Sequence, residues 1–162
     1  AQAGARPDVN FLGIEWSLKY LRVAKDRARR RGLANVRLFR SDARHVLAAL
    51  LPDRSLARVH VYCPDPWPKK RHRKRRLFTG ETAAHLGRVL LPGGHLDLST
   101  DVREYFEEIR AIVPAHSGLV EAPDPLFPID NPEGRTSYEA KYVEAGRAIH
   151  RASYMRPLRE SR

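Results

Sequence analysis

The sequence predicts one α/β domain built on a mostly parallel, doubly wound sheet. Three observations carry that expectation. Apolar runs of strand length alternate with amphipathic stretches of helical period from residue 10 to residue 113. Two acids, Glu15 and Asp42, stand at the carboxyl ends of successive strand segments, the edge at which open α/β sheets hold ligands. With 162 residues, 42% of them apolar and 30% charged, the chain is long enough for one real core and too short for two ordinary ones.

The elements follow in order. Asn10 to Glu15 is a short apolar run ending on an acid, read as a buried strand. Leu18 to Arg31 is a helix, with Leu18, Leu21, Ala24 and Ala28 on one side and seven basic residues elsewhere. Gly32 stops it. Val36 to Phe39 is the second strand, and Ser41-Asp42 opens a helix over Ala43 to Leu51. Arg58 to Tyr62 is the third strand, followed by a helix over Thr79 to Leu90. Pro92-Gly93-Gly94 turns the chain into a strand at His95 to Ser99. Asp101 begins a helix that runs to about Val113.

Residues 114–135 hold five of the twelve prolines and show little periodicity, so they read as a long surface loop. Thr136-Ser137-Tyr138-Glu139 matches a capping box that opens a helix to about Ala145. Ala148 to Met155 is the final strand. The domain is placed at residues 1–156, with 157–162 a frayed tail.

Composition narrows the function. Thirty Lys/Arg stand against nineteen Asp/Glu, a net charge of +11. That charge favours nucleic acid or an anionic membrane surface over a small neutral partner. No apolar run approaches the roughly 20 residues of a spanning helix, so no membrane role is expected. The single cysteine, Cys63, permits no intrachain disulfide and fits a reducing cytoplasm; it reads as a small buried hydrophobe. The seven histidines show no metal-ligand spacing, so no metal is expected.

The most informative segment is Pro64-Asp65-Pro66-Trp67-Pro68, which leads directly into seven Lys/Arg among the eight residues Lys69 to Arg76. Asp65 is an acceptor on a proline-braced turn. It can take the N1–H and 2-amino donors of a guanine edge, or bond local backbone. Trp67 can stack on a base or pack beneath the turn. Lys69, Lys70, Arg71, Arg73, Lys74, Arg75 and Arg76 repel one another unless a partner neutralises them, which points to RNA phosphates. A solvated charge run and a nuclear localisation patch are the alternatives. Glu15 can accept from ribose hydroxyls or be a solvated loop acid. Asp42 can accept an adenine amino group or simply cap the helix after it. Thr100-Asp101 ends the fourth strand and reads as a cap for the next helix.

With these residues in place, the chain resembles the bacterial tRNA (guanine-N7)-methyltransferase family over about residues 10 to 156. The resemblance rests on Phe11-Leu12-Gly13-Ile14-Glu15, Ser41-Asp42-Ala43, Pro64 to His72, Lys74-Arg75-Arg76, Leu91-Pro92-Gly93-Gly94, Ser99-Thr100-Asp101 and Thr136-Ser137-Tyr138-Glu139. Pro-Asp-Pro-Trp-Pro-Lys-Lys-Arg-His is highly specific, whereas the Pro-Gly-Gly turn is generic. The resemblance implies a Rossmann-like fold of the class I methyltransferases and S-adenosyl-L-methionine as cofactor. It implies transfer of a methyl group to N7 of guanosine 46 in the tRNA variable loop. It further implies that Glu15, Asp42 and Asp65 contact cofactor, with Asp65 also at the catalytic centre. Lys69, Asp101, Thr136, Ser137, Tyr138 and Glu139 are then substrate contacts.

The family's first strand and glycine-rich loop have no counterpart here. The chain opens on Ala1-Gln2-Ala3-Gly4, which reads like the tail of a helix, and the expectation is an N-terminally truncated domain. The competing functions are a methyltransferase of the same fold with another RNA or protein substrate, a non-catalytic RNA-binding module, and a nicotinamide-dependent enzyme, which the Pro-Asp-Pro-Trp and basic segments disfavour.

Overall fold

The computed structural model describes residues 2–122 and 144–158. The chain separates into two compact units, residues 1–50 and 51–162.

The first unit is a strand–helix–strand motif. A single helical turn, α1 (Gln2–Ala5), precedes β1 (Phe11–Ile14). Helix α2 (Leu18–Arg30) leads to β2 (Val36–Phe39), which pairs parallel with β1 from Phe11↔Val36 to Ile14↔Phe39. Helix α2 ends where expected: Arg31 closes it and Gly32 takes φ +63°, a left-handed conformation that costs glycine little. The Asn35 side-chain amide lies 2.8 to 3.0 Å from the carbonyls of Ala3, Arg6 and Val9 and pins the approach to β1. The predicted helix after Asp42 is one α-turn, α3 (Ala43–His45), that widens into a π-helical turn over Val46–Leu50.

The second unit holds a four-stranded sheet in the order β3 (Leu56–Tyr62), β4 (Leu90–Thr100), β6 (His150–Met155), β5 (Val120–Glu121). Strands β3 and β4 are parallel, but β6 runs antiparallel to both β4 and β5. Antiparallel neighbours need no crossover helix, so a strand–helix alternation does not reveal this pairing. Helices α4 (Gly80–Val89) and α5 (Arg103–Ser117) pack on each other and on the sheet. Leu86, Val89, Tyr105, Ile109 and Val113 are buried, as are Leu96, Leu98 and Tyr154. Thr79 caps α4 by accepting the Thr82 N–H at 3.2 Å.

Two boundaries differ from the sequence expectation. Helix α5 starts at Arg103, because Asp101 lies outside it and the Thr100 Oγ1 accepts the Val102 N–H. It also runs through Pro114 to Ser117. A proline in the last turn removes one N–H near a frayed end. The end is secured instead by Ser117, which donates to the Val113 carbonyl and accepts from the Leu119 N–H, and by left-handed Gly118. Part of the expected loop after residue 113 is therefore helix and strand β5. The expected helix over 136–145 falls almost wholly outside the described residues.

Strand alternation gives the sheet two different faces. Val59, Val61, Leu96 and Leu98 point one way; Arg58, His60, Asp97 and Ser153 point the other. Asp97, 7% exposed, accepts from Ser153 Oγ at 2.6 Å and lies 3.2 Å from Arg58 Nε and 3.4 Å from His60 Nδ1. Burial pushes the His60 pKa below its ordinary value, with the Asp97 charge opposing that shift and Arg58 adding to it. His95, on the neighbouring position of β4, is lowered for the same first reason.

This packing can be tested at a glycine and at a histidine. A Cβ at Gly87 would sit 1.9 Å from the Ser117 carbonyl oxygen, a backbone atom that cannot step aside. Gly87→Ala is expected to lower stability by about 1–3 kcal/mol, overriding the helix-propensity gain of about 1 kcal/mol, as read by urea denaturation. The histidine test concerns pH. The unfolded chain protonates His60 near the ordinary value of about 6.5, while the folded chain resists protonation until lower pH. Unfolding therefore takes up a proton in that window, and stability falls as pH drops below about 6.5. His60→Gln is expected to make the pH dependence of the urea midpoint shallower there; an unchanged slope would remove His60 as a source.

Candidate functional site

In the first unit, Glu15 and Asp42 lie beyond the carboxyl ends of β1 and β2. The parallel register that pairs Ile14 with Phe39 brings both to the same sheet edge. Neither is a passive surface acid. Glu15 Oε1 accepts the Ser17 N–H at 2.7 Å, just before α2, and its backbone N–H donates to the Phe39 carbonyl. Asp42 caps α3 through the Arg44 N–H at 2.9 Å and also binds the Arg44 guanidinium at 2.8 Å. That side-chain bond is the main reason its pKa is lowered. The structure thus shows the capping role of Asp42; its carboxylate is partly exposed and its oxygens have lone pairs left to accept further donors.

In the second unit, β3 delivers the chain into the Pro64–Pro68 turn. Two non-glycine residues there have left-handed backbones: Cys63 at φ +47° and Trp67 at φ +40°. Each costs on the order of 1–3 kcal/mol and persists only where surrounding bonds hold it. Cys63 is half-buried in that strained conformation, so it is not the simple core hydrophobe expected. Its N–H donates to the Ser99 carbonyl at 2.8 Å. Asp65 sits between the two strained residues. It is exposed and takes no hydrogen bond or ion pair among the described residues. The local-backbone alternative for this carboxylate is therefore not what the structure displays.

The basic run forms a short 3-10 helix over Lys70–Arg75, beginning directly after Lys69. Lys69, Lys70, Arg71, Arg73, Lys74 and Arg75 are exposed. Arg73 pairs with Glu104 on α5. Arg75 lies over the Trp67 ring, 5.0 Å from its centroid, and His72 meets the ring edge-on at 5.8 Å. Trp67 therefore packs with the basic helix. Arg76 departs from the sequence expectation: it is 2% exposed and turned away from solvent, so it does not belong to the exposed basic surface. Its Nε donates to the Pro66 carbonyl at 2.7 Å, and it pairs with Glu108.

Asp101, the predicted substrate contact, is largely buried and holds Arg147 at 3.1 Å. Thr136, Ser137, Tyr138 and Glu139 lie outside the described residues. Two features go beyond the sequence expectation: the inward turn of Arg76 and the polar cluster at Arg58, His60 and Asp97. The cluster carries a signal: Arg-Val-His-Val-Tyr and His-Leu-Asp-Leu-Ser both alternate polar and apolar with period two. Arg76 carries none, since charge alone does not say which member of a basic run faces inward. Among the described residues, no group of three or more His, Cys, Asp or Glu is placed to hold a metal ion. No described helix is long and apolar enough to cross a membrane.

Comparison with known proteins identifies the family and the fold. The family described as "Putative methyltransferase" matches residues 1–152. A tRNA (guanine-N(7)-)-methyltransferase of Nitrosococcus oceani is 38% identical over 148 residues, covering 91% of this chain and 62% of that protein. The Myxococcus xanthus protein of the same name is 35% identical over 158 residues, covering 93% of this chain and 74% of its own length. The chain thus spans less than two thirds of the length of the Nitrosococcus relative. Among solved structures, the N-methyltransferase NodS from Bradyrhizobium japonicum in complex with S-adenosyl-L-homocysteine is similar in fold. Its TM-score is 0.58 at 14% identity, over 91% of this chain and 67% of that one. The α/β architecture is the Rossmann-like one of the methyltransferases, and the chain belongs to the tRNA (guanine-N(7)-)-methyltransferase family.

Proposed function

We propose that this protein transfers a methyl group from S-adenosyl-L-methionine to N7 of guanosine 46 in the tRNA variable loop, in the cytoplasm. The observation that carries the proposal is Asp65. It is an exposed carboxylate with no partner among the described residues, on a turn whose backbone is fixed on both sides of it. The names of the Nitrosococcus and Myxococcus relatives support the substrate, and the S-adenosyl-L-homocysteine bound by NodS supports the cofactor.

The donor set fits that cofactor. Glu15 and Asp42 present carboxylate acceptors at one sheet edge, suited to ribose hydroxyls and an adenine amino group respectively. When bound, S-adenosylmethionine supplies an electrophilic methyl group on a sulfonium. N7 of neutral guanine carries a lone pair and no proton, so the transfer needs no general base. The protein's task is to position N7 in line with that methyl. Asp65 does this by accepting the guanine N1–H and 2-amino donors, with a further contact toward cofactor. Lys69, Lys70, Arg71, Lys74 and Arg75 hold phosphates, and Arg73 joins them when Glu104 releases it. Asp101 acts on substrate through its hold on Arg147, and Thr136, Ser137, Tyr138 and Glu139 complete the substrate contacts. N7 faces the deep groove of an RNA helix, so the base must be exposed or flipped to be reached.

Asp65→Asn keeps the size and adds donors opposite the guanine donors. That conflict costs about 1–3 kcal/mol, or roughly one to two powers of ten in rate. Single-turnover methylation of a tRNA transcript is expected to fall by that factor while filter binding of the tRNA changes little. Near-parental turnover would leave the turn as architecture only. The patch has its own test: changing Lys69, Lys70 and Arg71 together to Ala is expected to reduce the log–log salt slope of tRNA affinity by about 0.7–0.9 for each phosphate that is no longer neutralised. A parental slope would move the RNA surface elsewhere.

A further inference from the structure

We propose that Arg76 is a positioning residue for Asp65: its buried guanidinium fixes the Pro-Asp-Pro-Trp turn by holding the Pro66 carbonyl, and it makes no contact with RNA. The inference rests on the role given to Asp65 above.

A guanidinium at 2% exposure in a run of exposed cations requires a cause, because burying a charge without partners is strongly unfavourable. The partners are all present. Nε donates to the Pro66 carbonyl at 2.7 Å, and Nη1 is paired with Glu108 on α5. The guanidinium lies over the Tyr105 ring at 4.7 Å. That ring is itself fixed, since the Tyr105 hydroxyl accepts the Phe78 N–H at 3.2 Å. One planar cation therefore joins the turn to two positions of α5. A lysine ammonium, a single point donor on a flexible stem, does not reproduce this fork.

The turn is thereby clamped at two places. Cys63 is held by the Ser99 carbonyl of β4, and Pro66 by Arg76. Asp65 lies between them, flanked by prolines that limit its backbone. The residue beyond the second clamp, Trp67, holds its left-handed backbone against strain. Releasing the Pro66 carbonyl frees the strained side of the turn and lets Asp65 shift. A displacement of about 1 Å at a positioning group is enough to lower a rate about a hundredfold. Tight binding of tRNA does not depend on it, because the exposed cations carry the phosphates.

The test uses the protein carrying Trp16→Phe, so that Trp67 remains as the one tryptophan of this sequence. Arg76→Met and Arg76→Lys are compared with Ile109→Ala, a buried α5 change that leaves the clamp intact. Single-turnover methylation, tRNA affinity, thermal midpoint and Trp67 emission are measured together. The expected result is a loss of at least about tenfold in the single-turnover rate in both Arg76 variants, with tRNA affinity within about threefold. Trp67 emission shifts in both Arg76 variants and not in Ile109→Ala. If Arg76→Met does not fold, Arg76→Lys decides, since it keeps a cation for Glu108 while losing the fork. Parental rate and emission in a folded Arg76 variant would overturn the proposal, as would an equal rate loss in Ile109→Ala at matched stability. Should the parent protein fail to methylate tRNA, the proposed function falls. The Trp67 emission then still decides whether Arg76 holds the turn.

Discussion

Buried charge is the constraint on which the larger unit depends. Two charge-bearing side chains, Arg76 and Asp97, lie almost out of reach of water, and neither is tolerable there without partners. Each finds them on elements far away in sequence. Arg76 draws the turn after β3 onto α5; Asp97 draws β3 and β6 onto β4. A hydrophobic pairing at these points would favour closeness alone. A paired charge also fixes direction, because hydrogen bonds tolerate little misalignment. The apolar faces of α4, α5 and the sheet provide the driving force for collapse, and the buried ions restrict which arrangement that collapse reaches.

The same division appears in the basic segment. Seven cations adjacent in sequence do two different jobs because one of them turns inward. The exposed members gain little from single surface ion pairs such as Arg73 with Glu104, which is consistent with the proposed RNA contact. The inward member is committed, and its commitment fixes the turn that precedes it. In the proposed function, charge serves both as a long-range attraction and as a short-range anchor, the second of which Arg76 supplies at the end of the 3-10 helix.

How far the sequence discloses the structure depends on which physical rule applies. Strand β2 and the cores of β1 and α2 are legible because apolar periodicity and the Gly32 stop act locally. The ends of α5 are not, because local rules there point the wrong way. Asp101 resembles a cap but is occupied by Arg147, and Pro114 resembles a stop but falls in a last turn secured by Ser117 and Gly118. The antiparallel setting of β6 is not written locally at all, since strand direction is decided by tertiary pairing. Within the candidate site, Asp65 is legible because the Pro-Asp-Pro-Trp spelling is rare, and Asp42 is legible as two alternatives of which the cap is the one displayed. The burial of Arg76 is invisible because its cause, Glu108 and Tyr105, lies about thirty residues downstream.

The chemistry of the proposed reaction connects these features. A reaction that needs a general base places a titratable group where its pKa can be tuned, and burial is the usual means. Among the described residues, His60 and Asp97 are held within the sheet, while Asp65 is exposed on a turn clamped at two places. That is a pattern suited to the proposed reaction, which is limited by alignment: an exposed acceptor on a turn held at both ends. N7 of guanine, which reacts through a lone pair and releases no proton, asks for that and nothing more. Under the proposed function, the strain at Cys63 and Trp67 is intelligible as the cost of rigidity around Asp65.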